Sequence, residues 1–412
     1  MKKEFFAENR KELGNFLKND SIALFFSGNE IQHSPFSVDK NFYYLSGLNE
    51  SGIALIITKR NDVVTETLFL KRSDPVMEKW IGKPLSEEEG KELSGIEKVA
   101  FVDELKQFAA GQLFKYDFKN IYLDLTRAEW DGKNTVAMDF ALEIKEKYSF
   151  LKIKNIGKEI GRMRSLKKLD EIACLKDSIE ITKNGIEMIM NKVKPDMNEN
   201  ELEAWFDYVL KKNQNTVHSF ESIVAAGENA TILHYHENSS MIKDGDLILL
   251  DVGAAKKQYC ADISRTIPAN GKFSERQKMI YNIVLNASNK VVESVKPGLP
   301  FVKLNEIAKE ELAKGCLEIG LIKEEKELGE YYYHQVSHFL GLDAHDTGDR
   351  ECVLEEGMVF TVEPGLYIAA EKIGIRIEDN VLVTKDSCEV LSKDIPKTVE
   401  EIESFFRVKN HE

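Results

Sequence analysis

Two ten-residue stretches of the chain superpose without a gap: DGDLILLDVG, ending at Gly253, and EGMVFTVEPG, ending at Gly365. Gly245 falls on Gly357, Asp251 on Glu363 and Gly253 on Gly365. Each copy is an aliphatic run that reads as a buried strand, and each drives a carboxylate into the end of that run. Internal repetition of a unit constrains the fold more than any local propensity does. It predicts two related α/β halves that present their strand ends, and their acids, to one site.

Helices precede each copy. Ile172, Leu175, Ile179, Ile186, Met190 and Val193 recur at helical spacing until KPDM stops the run. Asn198 with Glu201, and Ser274 with Gln277, have the spacing of capping boxes that open two further helices. A fourth runs through Leu304, Ile307, Ala308, Leu312 and Ile319 to a C-terminal Gly320. The first ~160 residues differ, with short β-rich runs SIALFF, NFYYLSGL, GIALIIT, TLFLKR and IYLDL between polar and helical stretches. The expectation is an α/β protein of two domains: 1–160, an N-terminal α/β domain, and 165–412, carrying the repeat, with GKEIGRMRSLKK (157–168) as the linker.

Beyond each aliphatic run a second strand returns. If LILLDVGA turns at Ala255 to Gln258, Ala254 faces Tyr259 and Asp251 lies directly opposite Asp262. If MVFTVEPGLYI turns at Ala369 to Lys372, Glu363 lies directly opposite Glu378. Opposed side chains stand about 5 Å apart at Cβ. Like charges at that spacing, half-buried, are unfavourable unless some are protonated or a cation sits between them. Two divalent ions would neutralise the four acids and leave room for a bridging hydroxide. The competing reading is a salt-bridged acidic cluster with Lys256 and Lys257 as partners, but both lysines fall in the expected turn.

HQVSHFLGLDAHD (334–346) holds three of the eight histidines. A lone histidine is usually a satisfied core group; three together with glycines favour a site. HQVSH has the spacing of the HExxH zinc motif, yet Gln335 occupies the glutamate position and cannot serve as a general base. One histidine with four carboxylates is an oxygen-rich set, suited to Mn²⁺ or another moderately hard divalent ion rather than to thiolate-type zinc.

Composition narrows the partners. A net charge of −14 with mixed signs along the chain argues against a nucleic-acid or anionic-membrane surface. Five scattered cysteines without a CxxC suggest neither a disulfide framework nor a zinc ribbon. No run approaches the ~20 apolar residues of a membrane span. The expectation is a cytoplasmic protein that meets small molecules or peptides, with neither nucleic acid nor membrane as a partner.

LHYHEN, LLDVG with YCADISRT, HxxSHFLGLDxHD, TVEPG and GIRIEDN, in this order, resemble the pita-bread metallopeptidases, and among them the aminopeptidase P family. NFYYLSGLNE and EKWIGKPLS resemble the first domain of its bacterial members, so the similarity spans nearly the whole chain. The resemblance implies a C-terminal pita-bread α+β domain with two pseudo-symmetric halves. It implies Asp251, Asp262, His338, Glu363 and Glu378 as ligands of a dinuclear centre, usually manganese, with Asp262 and Glu378 bridging. Asp251 would serve one ion, and His338 with Glu363 the other. His234, His334 and His345 would bind substrate and support the tetrahedral intermediate, Glu363 would carry the proton, and Arg376 would orient Glu378. His236 has no counterpart and reads as an ordinary histidine; Gln335 stands where relatives commonly carry glycine. The implied reaction is hydrolysis of the bond between an N-terminal residue and a following proline, in a homodimer or homotetramer where Trp80 could line a neighbour's substrate channel. Prolidase shares the ligands, methionine aminopeptidase lacks such an N-terminal domain, and silent binding modules of this fold have lost ligands that are all present here.

Overall fold

The computed structural model describes residues 1–30, 36–127, 129–214 and 216–409. They divide into two compact units, Met1–Arg164 and Ser165–Glu412.

In the first unit, β1 (Ser21–Phe26), β2 (Ala54–Arg60), β3 (Val63–Leu70), β4 (Val99–Phe101), β5 (Asn120–Leu123) and β6 (Lys152–Asn155) form one mixed sheet in the order β4, β3, β2, β1, β5, β6. Ile22, Leu24, Ile56, Phe69, Ile121 and Leu123 bury one face of it against Ala137, Phe140 and Ile144 of the helix Val136–Lys147. NFYYLSGL, expected as a strand, is instead the helix Lys40–Ser46. Asp39 caps its first turn by accepting from the Phe42 N–H, and Gly47, at φ +73°, ends it. An apolar run this short does not declare its period, and the caps decided it. The supposed linker is helical too, over Gly157–Ser165, because Ile156, Ile160 and Met163 share a buried face. Trp80 lies on the short helix Glu78–Ile81 and is 81% exposed.

The second unit repeats one plan. The helices Leu169–Lys192 and Glu199–Lys212 pack together and are followed by β7 (Thr216–His218), β8 (Ile223–Ala226), β9 (Leu247–Val252), β10 (Ala254–Lys256), β11 (Tyr259–Cys260) and β12 (Ile263–Pro268). The helices Glu275–Ser294 and Val302–Glu318 pack together and are followed by β13 (Val359–Val362), β14 (Gly365–Ile368), β15 (Ile373–Arg376), β16 (Asp379–Val383) and β17 (Cys388–Val390). Both expected capping boxes are present, at Asn198 with Glu201 and at Ser274 with Gln277. The repeat is also visible in the backbone: Gly245 and Gly357, paired in the alignment, both hold the left-handed conformation at φ +82° and +91°.

The two hairpins differ in how well spacing foretells them. In the second, Ile368 pairs with Ile373, Gly365 with Arg376 and Val362 with Asp379, so the ladders on either side continue the register that opposes Glu363 to Glu378. In the first, the turn is only Lys257–Gln258, both residues at positive φ, and Asp251 pairs with Ser264 rather than with Asp262. The expected register is therefore off by two residues. A shift of two preserves the face, so Asp262 remains on the side of the sheet that carries Asp251.

Candidate metal centre

Two strand pairs meet along β12. The Glu378 N–H donates to the Ser264 carbonyl at 3.0 Å, and the Arg376 N–H donates to Thr266 Oγ1 at 3.2 Å. With Asp251 opposite Ser264, this contact places Asp251, Ser264, Glu378 and Glu363 in one row across four chain segments. Asp262 and Arg376 lie two residues along the same faces, as the period of a strand requires. Gly253 makes the crossing possible, since a Cβ there would stand 2.0 Å from the Ala261 carbonyl oxygen.

His338 enters from the loop 331–346, which is irregular and held to β13 by a bridge between Phe339 and Phe360. Helical spacing of His334 and His338, which the HExxH pattern needs, is therefore absent. Nδ1 of His338 lies 3.1 Å from the Phe339 carbonyl and donates to it, which turns Nε2 toward Asp262 Oδ2 at 3.5 Å and Glu363 Oε1 at 3.4 Å. Burial, and then His345, push the His338 pKa down to about 4, so the ring is neutral and shows a lone pair to two carboxylates.

The acids themselves are poorly served by the protein. Burial, then repulsion from Asp251 and Glu363, raises Asp262 well above the usual carboxylate range. Glu378 is raised well by burial and by Asp262, Glu363 and Asp251, and burial pushes Glu363 up to about 8 against the pull of Arg376. Among the described residues, the one Lys or Arg side chain paired with these four acids is Arg376. Lys256 and Lys257 supply no partner, which removes the salt-bridged-cluster reading. Donor atoms of Asp251, Asp262 and Glu378, of His338, Glu363 and Glu378, and of Asp262, His338 and His345 lie within 4.8 Å of one another in each set. Four carboxylates and a neutral imidazole converging in this way fit hard divalent cations, which would supply the missing positive charge.

Arg376 acts differently from expectation. Nη2 donates to Asp251 Oδ2 at 2.6 Å, Nε to Ser264 Oγ at 2.7 Å and Nη1 to Tyr367 Oη at 3.0 Å. It reaches Glu378 through Ser264, whose hydroxyl lies 2.8 Å from Glu378 Oε2 and 3.1 Å from Asp251 Oδ1. Thr361 Oγ1 donates to Glu363 Oε1 at 3.2 Å, and Asn380 grips the Asp262 backbone with its side-chain amide. Sequence reading missed Ser264, Thr361, Asn380 and Tyr367. Ser264 and Asn380 follow a ligand candidate by two residues and Thr361 precedes one by two, so strand alternation alone could have marked them.

A cavity of about 680 Å³ opens over the acids. His234, His334 and His345 all line it, together with Phe220, Arg350 and Gln335. His236, the histidine without a family counterpart, is exposed and lines it as well, with its ring stacked 6.2 Å from that of His234 and Nδ1 3.9 Å from Glu221 Oε2. His334 is fixed as a neutral ring, with Nδ1 donating to the Gln335 carbonyl at 2.8 Å and Nε2 accepting from Tyr367 at 2.9 Å. Burial, with Arg376 nearby, lowers its pKa to about 4.

Residues 173–385 match the family model described as metallopeptidase family M24. The chain belongs to metallopeptidase family M24. Residues 6–122 match a second model, the aminopeptidase P N-terminal domain. The M24 chain is 32% identical to the Xaa-Pro aminopeptidase of Haemophilus influenzae, covering 98% of this chain and 97% of that one. Among solved structures it is similar to a candidate aminopeptidase P from Bacillus anthracis, at 50% identity and TM-score 0.97 over 99% of both chains. It is also similar to aminopeptidase P from Escherichia coli with the inhibitor Pro-Leu, at 31% identity and TM-score 0.91 over 100% of both chains. The second unit is thus the pita-bread fold of M24, preceded by an aminopeptidase P-type domain, and the chain is a metal-dependent hydrolase.

Proposed function

We propose that this M24 chain removes an N-terminal residue from peptides by hydrolysing its bond to a following proline. The observation that carries the reading is the row of acids crossing the seam of two related halves, with one neutral imidazole beside it, in a chain that matches Xaa-Pro aminopeptidases from end to end. Asp262 and Glu378, one from each half, would hold two divalent ions together with Asp251, His338 and Glu363. An oxygen-rich set with a single histidine suits Mn²⁺. The ions would supply Lewis acidity and an activated water at neutral pH.

The remaining work belongs to the chain. Glu363, 17% exposed at its side chain, would take the proton of the attacking water and pass it to the leaving nitrogen. His345 and His234, on the cavity wall, would donate to the oxyanion, and His334, its ring fixed by Gln335 and Tyr367, would shape the wall against which the substrate binds. Arg376 orients Asp251 directly and Glu378 through Ser264. On the same reading the protein is a cytoplasmic homodimer or homotetramer that acts on peptides; among the described residues no helix is long and apolar enough to cross a membrane.

The test is to load the purified protein with Mn²⁺ and compare hydrolysis of Xaa-Pro, Xaa-Pro-Yaa and Xaa-Ala-Yaa. Cleavage of Xaa-Pro-Yaa well above the others is expected, with loss of activity in Asp262→Ala. Cleavage of the dipeptide alone would assign a prolidase; neither metal binding nor hydrolysis would leave a silent binding module.

A further inference from the structure

The loop that carries His338 and His345 is closed on itself. The Asp346 N–H donates to the Phe339 carbonyl at 2.8 Å, and the Gly341 N–H donates to the Asp343 carbonyl at 3.1 Å. The closure sets the rings of His338 and His345 with centroids 4.1 Å apart. Beneath the loop lies an ion pair. Lys167 Nζ stands 3.2 Å from Asp346 Oδ2, and both side chains are 1% exposed. Gly341 lies against that pair: a Cβ there would stand 2.1 Å from Asp346 Oδ2 and 3.0 Å from Lys167 Cε. A missing side chain is what lets the pair fit.

Lys167 is itself held. Its N–H donates at 2.8 Å to the carbonyl of Gly357, the left-handed glycine that leads into β13 and so toward Glu363, and Leu166 bridges Met358 beside it. The same backbone junction therefore sets both the strand bearing Glu363 and the lysine under the histidine loop. Taking two charges so far out of water returns little net stability compared with apolar packing. Such a pair is better understood by the geometry that it specifies.

We propose that Lys167 is a positioning residue for the reaction: through Asp346 it holds His345 against His338, although it touches neither ligand nor substrate. The proposal rests on the peptidase reading above. A misplacement of about 1 Å in a group that supports the transition state lowers a rate by roughly 100-fold. Lys167→Met should lower kcat for Xaa-Pro-Yaa by about 10- to 100-fold and leave KM within about threefold. Two equivalents of Mn²⁺ should still bind by calorimetry. Asp346→Asn, nearly isosteric, should act in the same direction and covers the case in which the lysine variant does not fold.

The readout that separates positioning from general structure is the background dependence. In His345→Ala, adding Lys167→Met should change kcat by less than about twofold, because both changes remove the same contribution. A full further loss in that background, a kcat at the wild-type level in Lys167→Met, or loss of a bound Mn²⁺ would overturn the proposal. Wild-type protein that failed to cleave Xaa-Pro-Yaa would overturn the functional reading instead. A crystal structure of Lys167→Met then decides the positioning claim alone: the His338 to His345 ring separation must grow beyond 4.1 Å.

Discussion

Arg376 shows how much one side chain governs at the residue scale. A guanidinium has five donors in a fixed plane, and here three nitrogens reach three oxygens that belong to three different segments. A lysine at this place keeps the charge but loses the fork. Arg376→Lys should therefore weaken divalent-metal binding by about 10- to 100-fold, with the fold retained, as competition with a chelator would measure. Unchanged affinity would show that charge alone, and not the geometry of Asp251 and Ser264, is what the centre needs. The carboxylates were legible in the sequence because a strand that ends on an acid conflicts with its own burial, whereas His338 stood out only as one of three clustered histidines, its ligand role implied by the family resemblance. Arg376 was legible as a neighbour of Glu378 but not as the partner of Asp251, because that contact spans 125 positions of the chain.

At the scale of elements, the hairpins separate what spacing can and cannot give. The β14–β15 turn follows the expected register, whereas the first hairpin closes on Lys257 and Gln258 at φ +51° and +68°. Two-residue turns with both φ values positive favour Asn-Gly, and nothing in Lys-Gln announces one. The same mismatch yields a prediction. Gln258→Gly relieves a left-handed conformation that costs a residue with a Cβ roughly 1–2 kcal/mol, against roughly 0.5–1 kcal/mol of added chain entropy, so it should stabilise the hairpin by about 0.5 kcal/mol in urea unfolding, with activity unchanged. A decrease in the urea midpoint would mean that Gln258 holds the turn through its side chain. The helices were more readable, because a capping box fixes a boundary within four residues and needs no distant partner. The helix Lys40–Ser46 escaped because its cap, Asp39, precedes a run too short to show a period.

At the scale of the whole molecule, two equilibria should report on buried charge. Glu171 is buried, accepts from the Lys168 N–H and the Tyr259 hydroxyl, and burial pushes its pKa up to about 7. A carboxyl raised in this way keeps its proton in the folded state while the unfolded chain has already lost it. Stability from this group is therefore complete below the unfolded value near 4.5 and falls as pH rises toward 7. Glu171→Gln removes the dependence, so the variant should gain on wild type between pH 4.5 and 7, by on the order of 3 kcal/mol at the upper end, in paired urea melts. Parallel curves across that range would contradict it. Chelation of divalent ions should lower the thermal midpoint, because ions that bind only the folded site at a hundredfold excess over Kd contribute about 2.7 kcal/mol per site. An unchanged midpoint after EDTA would count against a metal centre built from these acids.

The sequence by itself determined that there are two related halves, which residues carry the acids and the histidine, and where most of the helices of the second unit start and stop. The halves, the acids and the helix ends follow from local periods and from a repeat that needs no coordinates, and the histidine from the family resemblance. Only the tertiary structure decided that Asp251 stands opposite Ser264 rather than Asp262, that His236 lines the cavity and that Lys167 lies beneath the histidine loop. These depend on turn geometry and on how distant segments meet side by side, which no spacing along the chain fixes.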